Sequence, residues 1–191
     1  MRSGIVAVLV YFVILFPTFG FGSVPEDSSA VTMVNVAGLH DAIQKDSGNV
    51  VLVNVWATWC KWCKEEMPGI LELKKKFEGK GFRLILVSAD DIDEIETGVK
   101  PTLRKMGVRF PSFIIHEPTD EAFMNGMNPD WNGALPTSFI YDRSGKLAET
   151  MVGDKTAKEF EKVIQKYLKK KYNTLLTYHL HILLNHPSTT G

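Results

Sequence analysis

Cysteine is nearly absent from this 191-residue chain, which has only two. Two cannot build a framework of structural disulfides, and they cannot fill a four-cysteine zinc site unless chains share the metal. Zinc would need two further ligands, and none of His40, His116, His179, His181 and His186 lies at a zinc-motif spacing from the cysteines, so no metal is expected. An excess of charge of either sign is missing too. With 22 Lys and Arg against 22 Asp and Glu, nothing implies a nucleic-acid partner or an anionic surface. What the chain does hold is an apolar share of 45% with 10% aromatics, ample for the core of one domain.

The two cysteines sit together as Cys60-Lys61-Trp62-Cys63, between a run that reads as a buried strand and a segment of helical periodicity. A Cys-x-x-Cys pair at a helix start closes into a disulfide with little backbone movement, and the helix N-terminus favours the thiolate that does the chemistry. Redox exchange by a switchable dithiol, which needs no cofactor, is therefore the leading expectation.

The N-terminus suggests where the pair works. A short basic start, Met1-Arg2-Ser3-Gly4, precedes an unbroken apolar run at residues 5–16, then Pro17, Thr18 and the small residues Gly20, Gly22 and Ser23. Residues 1–24 read as a signal peptide cleaved near 22–24, or as an uncleaved anchor through residues 5–22. No cysteine follows the run, so a lipid-modified cysteine is not expected. Either way the globular part, residues 25–171, is expected outside the cytoplasmic membrane of a bacterium, either secreted or anchored to that membrane.

Hydrophobic period gives alternating strands and helices. After a Ser-rich and acidic linker at 25–30, Leu39, Ala42 and Ile43 share a helical face, and the β-branched run Val50–Trp56 suits a strand buried on both sides. The helix after the cysteines places Met67, Ile70, Leu71, Leu73 and Phe77 on one side, stops at Gly79 and Gly81, and carries Pro68, which predicts a kink. A buried strand follows at 82–87. Gly98 and Pro101 predict a broken or late-starting helix over 93–106, and a short strand spans Ser112–Ile115. Residues 117–132 read as a short helix and loops. Strands Thr137–Tyr141 and Leu147–Val152 flank the turn Asp142-Arg143-Ser144-Gly145, and Thr156-Ala157-Lys158-Glu159 opens a last helix with Phe160, Val163, Ile164, Tyr167 and Leu168 inward. This order predicts an α/β fold, a mixed central sheet with helices on both faces.

The stretch from Val51 to Pro68, with Trp59-Cys60-Lys61-Trp62-Cys63 at its centre, resembles the active-site block of the thioredoxin superfamily, in its TlpA/ResA-like extracytoplasmic branch. Leu135-Pro136-Thr137-Ser138-Phe139-Ile140-Tyr141-Asp142, followed by Ser144-Gly145-Lys146, is similar to that family's second landmark. The resemblance covers roughly residues 30–170 and implies a thioredoxin-like three-layer fold and protein thiol-disulfide oxidoreductase activity.

Carried over residue by residue, the resemblance makes Cys60 the exposed attacking thiol and Cys63 the resolving one. Lys61 is either a charge that lowers the Cys60 pKa or an ordinary solvated lysine. Trp62 stands where the family more often has proline; like Trp59 it is a candidate contact for the client. Pro136 matches the family's cis proline beside the sulfurs, and Leu135 would offer its backbone to a substrate strand. Where thioredoxin has a buried aspartate the chain has Asn54, which takes no proton. Glu66 matches an acidic residue placed near the ResA-like active site, and partial burial would raise its pKa and let it accept the Cys63 proton. Glu65 reads as a surface partner for a lysine.

The implied partners are disulfide-bearing clients, such as apocytochrome c during maturation, and a membrane thiol reductase as electron donor. An insert at 117–134 is placed to select the client. The alternative is a copper chaperone of the same fold, with His116, Met124 and Met127 as soft ligands, but that family spaces its cysteines by three residues rather than two. A peroxidase lacks its expected proline and threonine ahead of the cysteine, since the chain has Ala57-Thr58-Trp59 there. Residues 172–191, leucine-rich with three histidines, lie outside the resemblance and have no assigned role.

Overall fold

The computed structural model describes residues 30–170. The leader at 1–24 and the tail at 172–191 therefore lie outside the described residues.

The elements run β1 (Val31–Val34), α1 (Val36–Lys45), β2 (Val50–Trp56), α2 (Lys61–Lys76) and β3 (Phe82–Ser88). A 3-10 turn at Ile92–Glu94 and a π-helical turn at Ile95–Val99 lead into α3 (Lys100–Lys105). Then come β4 (Ser112–Ile115), α4 (Asp120–Met127), β5 (Thr137–Tyr141) and β6 (Leu147–Val152). Helix α5 closes the described chain at 157–170.

One six-stranded sheet has the order β1-β4-β3-β2-β5-β6. The four strands from β1 to β2 are parallel to their neighbours, and β5 and β6 run antiparallel. Central β2 is buried at every position. Its alternate residues face opposite cores: Val50 and Leu52 pack with Met67, Ile70, Leu103, Phe160 and Ile164 from α2, α3 and α5. Val51, Val53 and Val55 pack with Leu39, Ile43, Phe123 and Met127 from α1 and α4. Three layers result, as the element order predicted.

Strand β1 is the element the sequence reading passed over. It is a four-residue edge strand with a single buried side chain, Val34, so it leaves almost no hydrophobic alternation to detect. Over 93–106 the helix is broken as expected, with the α-helical part starting only at Lys100. Pro68 lies inside α2, which nevertheless runs unbroken from Lys61 to Lys76.

Local signals explain the ends. The Thr156 hydroxyl accepts from the Glu159 N–H (3.3 Å), and the Glu159 carboxylate accepts from the Thr156 N–H (2.8 Å), the reciprocal capping expected for α5. In the β5–β6 turn, Asp142 accepts from the Ser144 N–H (2.9 Å), and Gly145 takes the positive φ of 74° that the tight turn needs. Gly69 of α2 lies against Ala157 of α5: a Cβ there would sit 3.0 Å from the alanine methyl, so any side chain would push the two helices slightly apart.

Strand register brings three loops together. Trp56 at the end of β2 pairs with Ser88 at the end of β3, and Val55 pairs with Thr137 at the start of β5. The cysteine loop after β2, the Ala89-Asp90 loop after β3 and the Leu135-Pro136 loop before β5 therefore meet at one end of the sheet, the carboxyl ends of its parallel strands, where open α/β sheets hold their ligands.

Candidate active site

Cys60 is the N-cap of α2. Its backbone is extended (φ −79°, ψ 107°), and its sulfur accepts a hydrogen bond from the Cys63 N–H at 3.1 Å. The two cysteines are disulfide-bonded, with Cα atoms 5.4 Å apart. Capping uses one of the backbone N–H groups a helix start leaves unpaired, and the same N–H would stabilise a thiolate on Cys60.

The exposed attacking thiol of the sequence reading needs correction. Cys60 is only 6% exposed, because the turn closed by its N–H on the Ala57 carbonyl (3.2 Å) tucks the sulfur against the apolar core. Cys63 is more deeply buried still, at 0% exposure. The outward groups are the flanking tryptophans, Trp59 at 68% and Trp62 at 52% exposure. Lys61 is also outward: its ammonium pairs with Glu65 (3.6 Å) and lies 5.0 Å from the Trp62 ring centre. Glu65 is thus the lysine-paired surface glutamate the sequence suggested, an exposed pair that contributes little to stability.

Glu66 is on the inner side of α2, three residues after Cys63 and therefore a neighbour on the same helix face. It is 7% exposed. One carboxylate oxygen accepts from the Asn54 side-chain amide at 2.8 Å, the other from the Lys155 backbone N–H at 3.1 Å. Burial pushes its pKa up to about 7, and the bonds from Lys155 and Asn54 restrain the rise. The Asn54 amide also donates to the Ser138 hydroxyl (3.0 Å), which ties β2, β5 and α2 together.

The Leu135–Pro136 bond is cis. Pro136 is buried and Leu135 half-buried, and the Pro136 carbonyl accepts from the Gly153 N–H at 2.9 Å. Just before them the Ala134 carbonyl accepts from both the Thr137 hydroxyl (2.7 Å) and the Trp131 indole (3.2 Å). Trp131 comes from the insert and meets Phe123 and Phe139 edge-on, with ring centres 6.1 and 5.2 Å apart. Between the insert and the cysteine loop lies a groove of about 360 Å³, lined by Trp59, Ala89, Phe123, Met124, Trp131 and Leu135 among others.

The sequence reading missed a second set of residues. The buried Asp90 carboxylate accepts from the Thr58 N–H and hydroxyl and from the Ser88 hydroxyl, and the Lys64 ammonium donates to the Thr58 carbonyl. The one signal available was a carboxylate two residues past the end of a mostly buried strand. Among the described residues, no three His, Cys, Asp or Glu side chains cluster closely enough to hold a metal ion. Of the soft ligands considered for copper, Met127 at the end of α4 is buried in the core and Met124 lines the groove. No described helix is long and apolar enough to cross a membrane.

The chain is 36% identical over 119 residues to the thiol-disulfide oxidoreductase ResA of Bacillus cereus, a match covering 62% of this chain and 64% of that protein. It is therefore aligned with slightly less than two thirds of that relative's length. A ResA of Bacillus thuringiensis subsp. konkukian is 31% identical over 134 residues, covering 70% of this chain and 72% of the relative. Among solved structures, a thiol:disulfide interchange protein of the thioredoxin family from Chlorobium tepidum TLS superposes with a TM-score of 0.56 at 24% identity, covering 73% of this chain and 92% of that one. The fold is thus thioredoxin-like. With residues 32–150 matching the AhpC/TSA family, and with the cysteine loop, Glu66 and the turn at Pro136 all inside that span, the chain belongs to the AhpC/TSA family.

Proposed function

We propose that this chain is an extracytoplasmic thiol-disulfide oxidoreductase that reduces disulfides in client proteins. The observation that supports it most is the asymmetry of the pair: Cys60 caps α2 beside two exposed tryptophans, while fully buried Cys63 has Glu66 one turn further along the same face.

In the reduced protein, the Cys60 thiolate attacks one sulfur of the client disulfide, and the other client sulfur leaves as a thiolate. A mixed disulfide joins Cys60 to the client. Cys63 then passes its proton to the Glu66 carboxylate and attacks the Cys60 sulfur; the second client thiolate leaves, and two electrons have moved to the client. At neutral pH, Glu66 with a pKa of about 7 is divided between acceptor and acid, which suits it to take that proton and to return it in the reverse direction. A membrane thiol reductase restores the dithiol.

An extended client segment lying along Leu135 would put the residue beside its cysteine over the groove. At about 360 Å³ the groove is near the lower end of ligand-site volumes and suits an apolar side chain or two. The insert walls it through Phe123, Met124 and Trp131, which is how the insert would select among clients, apocytochrome c being the leading class. The apolar run at residues 5–16, read as a signal segment or anchor, supports this location.

The reduction potential of the purified protein, equilibrated in graded thiol buffers and read by mass after alkylation, tests the proposal. A two-electron midpoint below roughly −230 mV is expected of a reductant, whereas one near about −120 mV would make the protein a disulfide-forming oxidant. Absence of any reversible transition, with metal retained through purification, would remove the oxidoreductase reading.

A further inference from the structure

The Asp90 carboxylate is 5% exposed, yet no cation pairs with it among the bonds that hold it. Its two oxygens are filled by neutral donors instead. The Thr58 N–H lies 3.1 and 3.0 Å from them, the Thr58 hydroxyl donates to one at 2.6 Å, and the Ser88 hydroxyl donates to the other at 2.5 Å. The Asp90 N–H in turn donates to the Ser88 hydroxyl at 3.1 Å. A buried charge must be hydrogen-bonded to persist, and here the chain supplies the donors from the end of β3 and from the cysteine loop.

The other side of the same residue is held as firmly. The Thr58 carbonyl accepts from the Lys64 ammonium of α2 at 2.6 Å. Every polar group of Thr58 is therefore engaged, by a carboxylate from one element and an ammonium from another. Thr58 stands two residues before Cys60, inside the turn that the Cys60 N–H closes on the Ala57 carbonyl (3.2 Å). One further bond, from the Ala89 N–H to the Trp56 carbonyl (2.8 Å), fixes the Asp90 loop to the strand that carries the turn.

We propose that Asp90 is a positioning residue for disulfide exchange: through Thr58 it fixes the turn that holds the Cys60 sulfur beside Cys63. This deepens the oxidoreductase reading and rests on it for its biological meaning, but its physical content is a local one. A clamp on one end of the turn keeps the two sulfurs at a high effective concentration with respect to each other, which favours the disulfide over the dithiol. Loosening it makes the pair easier to reduce.

The test is the oxidation equilibrium of the full chain in graded dithiothreitol buffers, measured for the wild type, D90N, T58V, T58S and the double variant D90N/T58V. Asn at 90 turns one acceptor arm into a donor facing donors, and Val at 58 keeps the size of Thr but removes its hydroxyl, whereas Ser retains it. D90N and T58V should each lower the equilibrium constant for forming the Cys60–Cys63 bond by about tenfold. T58S should stay within about twofold of wild type, and the double variant should be no worse than the worse single one, as for residues acting through one contact. Wild-type equilibrium constants in D90N and T58V, even with lowered melting temperatures, would reduce Asp90 to a staple of the fold; additive losses would show that it does not act through Thr58. If D90N fails to fold, the contrast between T58V and T58S decides alone. A wild-type midpoint in the oxidant range would overturn the reductant assignment while leaving these shifts to judge the clamp, so the two readings fail separately.

Discussion

At Glu66 the sequence places a carboxylate where burial disfavours its charge, and the consequence is measurable in stability. The unfolded chain titrates this group near 4.5 and the folded protein near 7. Between those values the native state keeps a proton that the unfolded chain has released, so the Glu66 contribution to stability is greatest below about 4.5 and is lost as pH rises through about 7. The full penalty, about 2.5 pKa units, is on the order of 3 kcal/mol. E66Q carries no charge to bury but loses one good hydrogen bond, about 1 kcal/mol. Urea unfolding should find it roughly 2 kcal/mol more stable than wild type at pH 8 and no more stable at pH 4. Its exchange should separate in the same way: normal formation of the mixed disulfide, with resolution by Cys63 slowed by on the order of a hundredfold in rapid-quench experiments at neutral pH. A loss confined to the first step would remove Glu66 from the proton transfer. The position of Glu66 was legible from the resemblance. Its second partner, the Lys155 N–H, was not, because a backbone donor from a loop distant in sequence leaves no mark in local pattern.

The elements that present the site depend on how closely α2 and α5 approach at Gly69 and Ala157. G69V would drive a side chain into Ala157 and force the two helices apart, an overpacking cost of about 1–3 kcal/mol. It should also pull the Lys155 N–H from Glu66 and raise the Glu66 pKa further, since that bond lowers it. Carbonyl-resolved NMR titration of Glu66 in G69V checks both parts, and an unchanged midpoint would sever the link between helix spacing and the carboxylate. T156A, which removes the α5 cap, should cost about 1 kcal/mol in chemical denaturation without moving the Glu66 midpoint. Elements with strong local signals were legible: the cap at Thr156, the turn at Asp142, the fully buried β2. Elements whose existence depends on partners were not. β1 is a strand because the free edge of β4 offers it a ladder, and its own four residues say little. The π-helical turn at Ile95–Val99 likewise follows from how the chain fits between the 3-10 turn and α3 rather than from composition.

Across the whole molecule, the site is an intersection: β2 delivers the sulfurs, β3 delivers Asp90, β5 delivers Pro136, and the insert closes a groove against all three. Ala89 lines that groove, outside the pair and its proton acceptor. A89L should fill part of the groove and raise KM for a peptide disulfide with an aromatic residue beside its cysteine by about tenfold, in line with one to two kcal/mol for lost apolar contact, while leaving the rate with a small aromatic disulfide unchanged. Equal losses on both substrates would show that the groove does not read clients. The layer order and the meeting of two motifs at one sheet end followed from element order and resemblance, whereas the groove required the insert's tertiary placement. The Cys60 sulfur also serves as the acceptor for the Cys63 N–H at 3.1 Å, which makes that amide a witness to the electron count. A thiolate accepts more strongly than a disulfide sulfur, so the Cys63 amide hydrogen should trade with solvent deuterium more slowly in the reduced protein at alkaline pH than in the oxidised one, a clock for the redox state that needs no label on either cysteine.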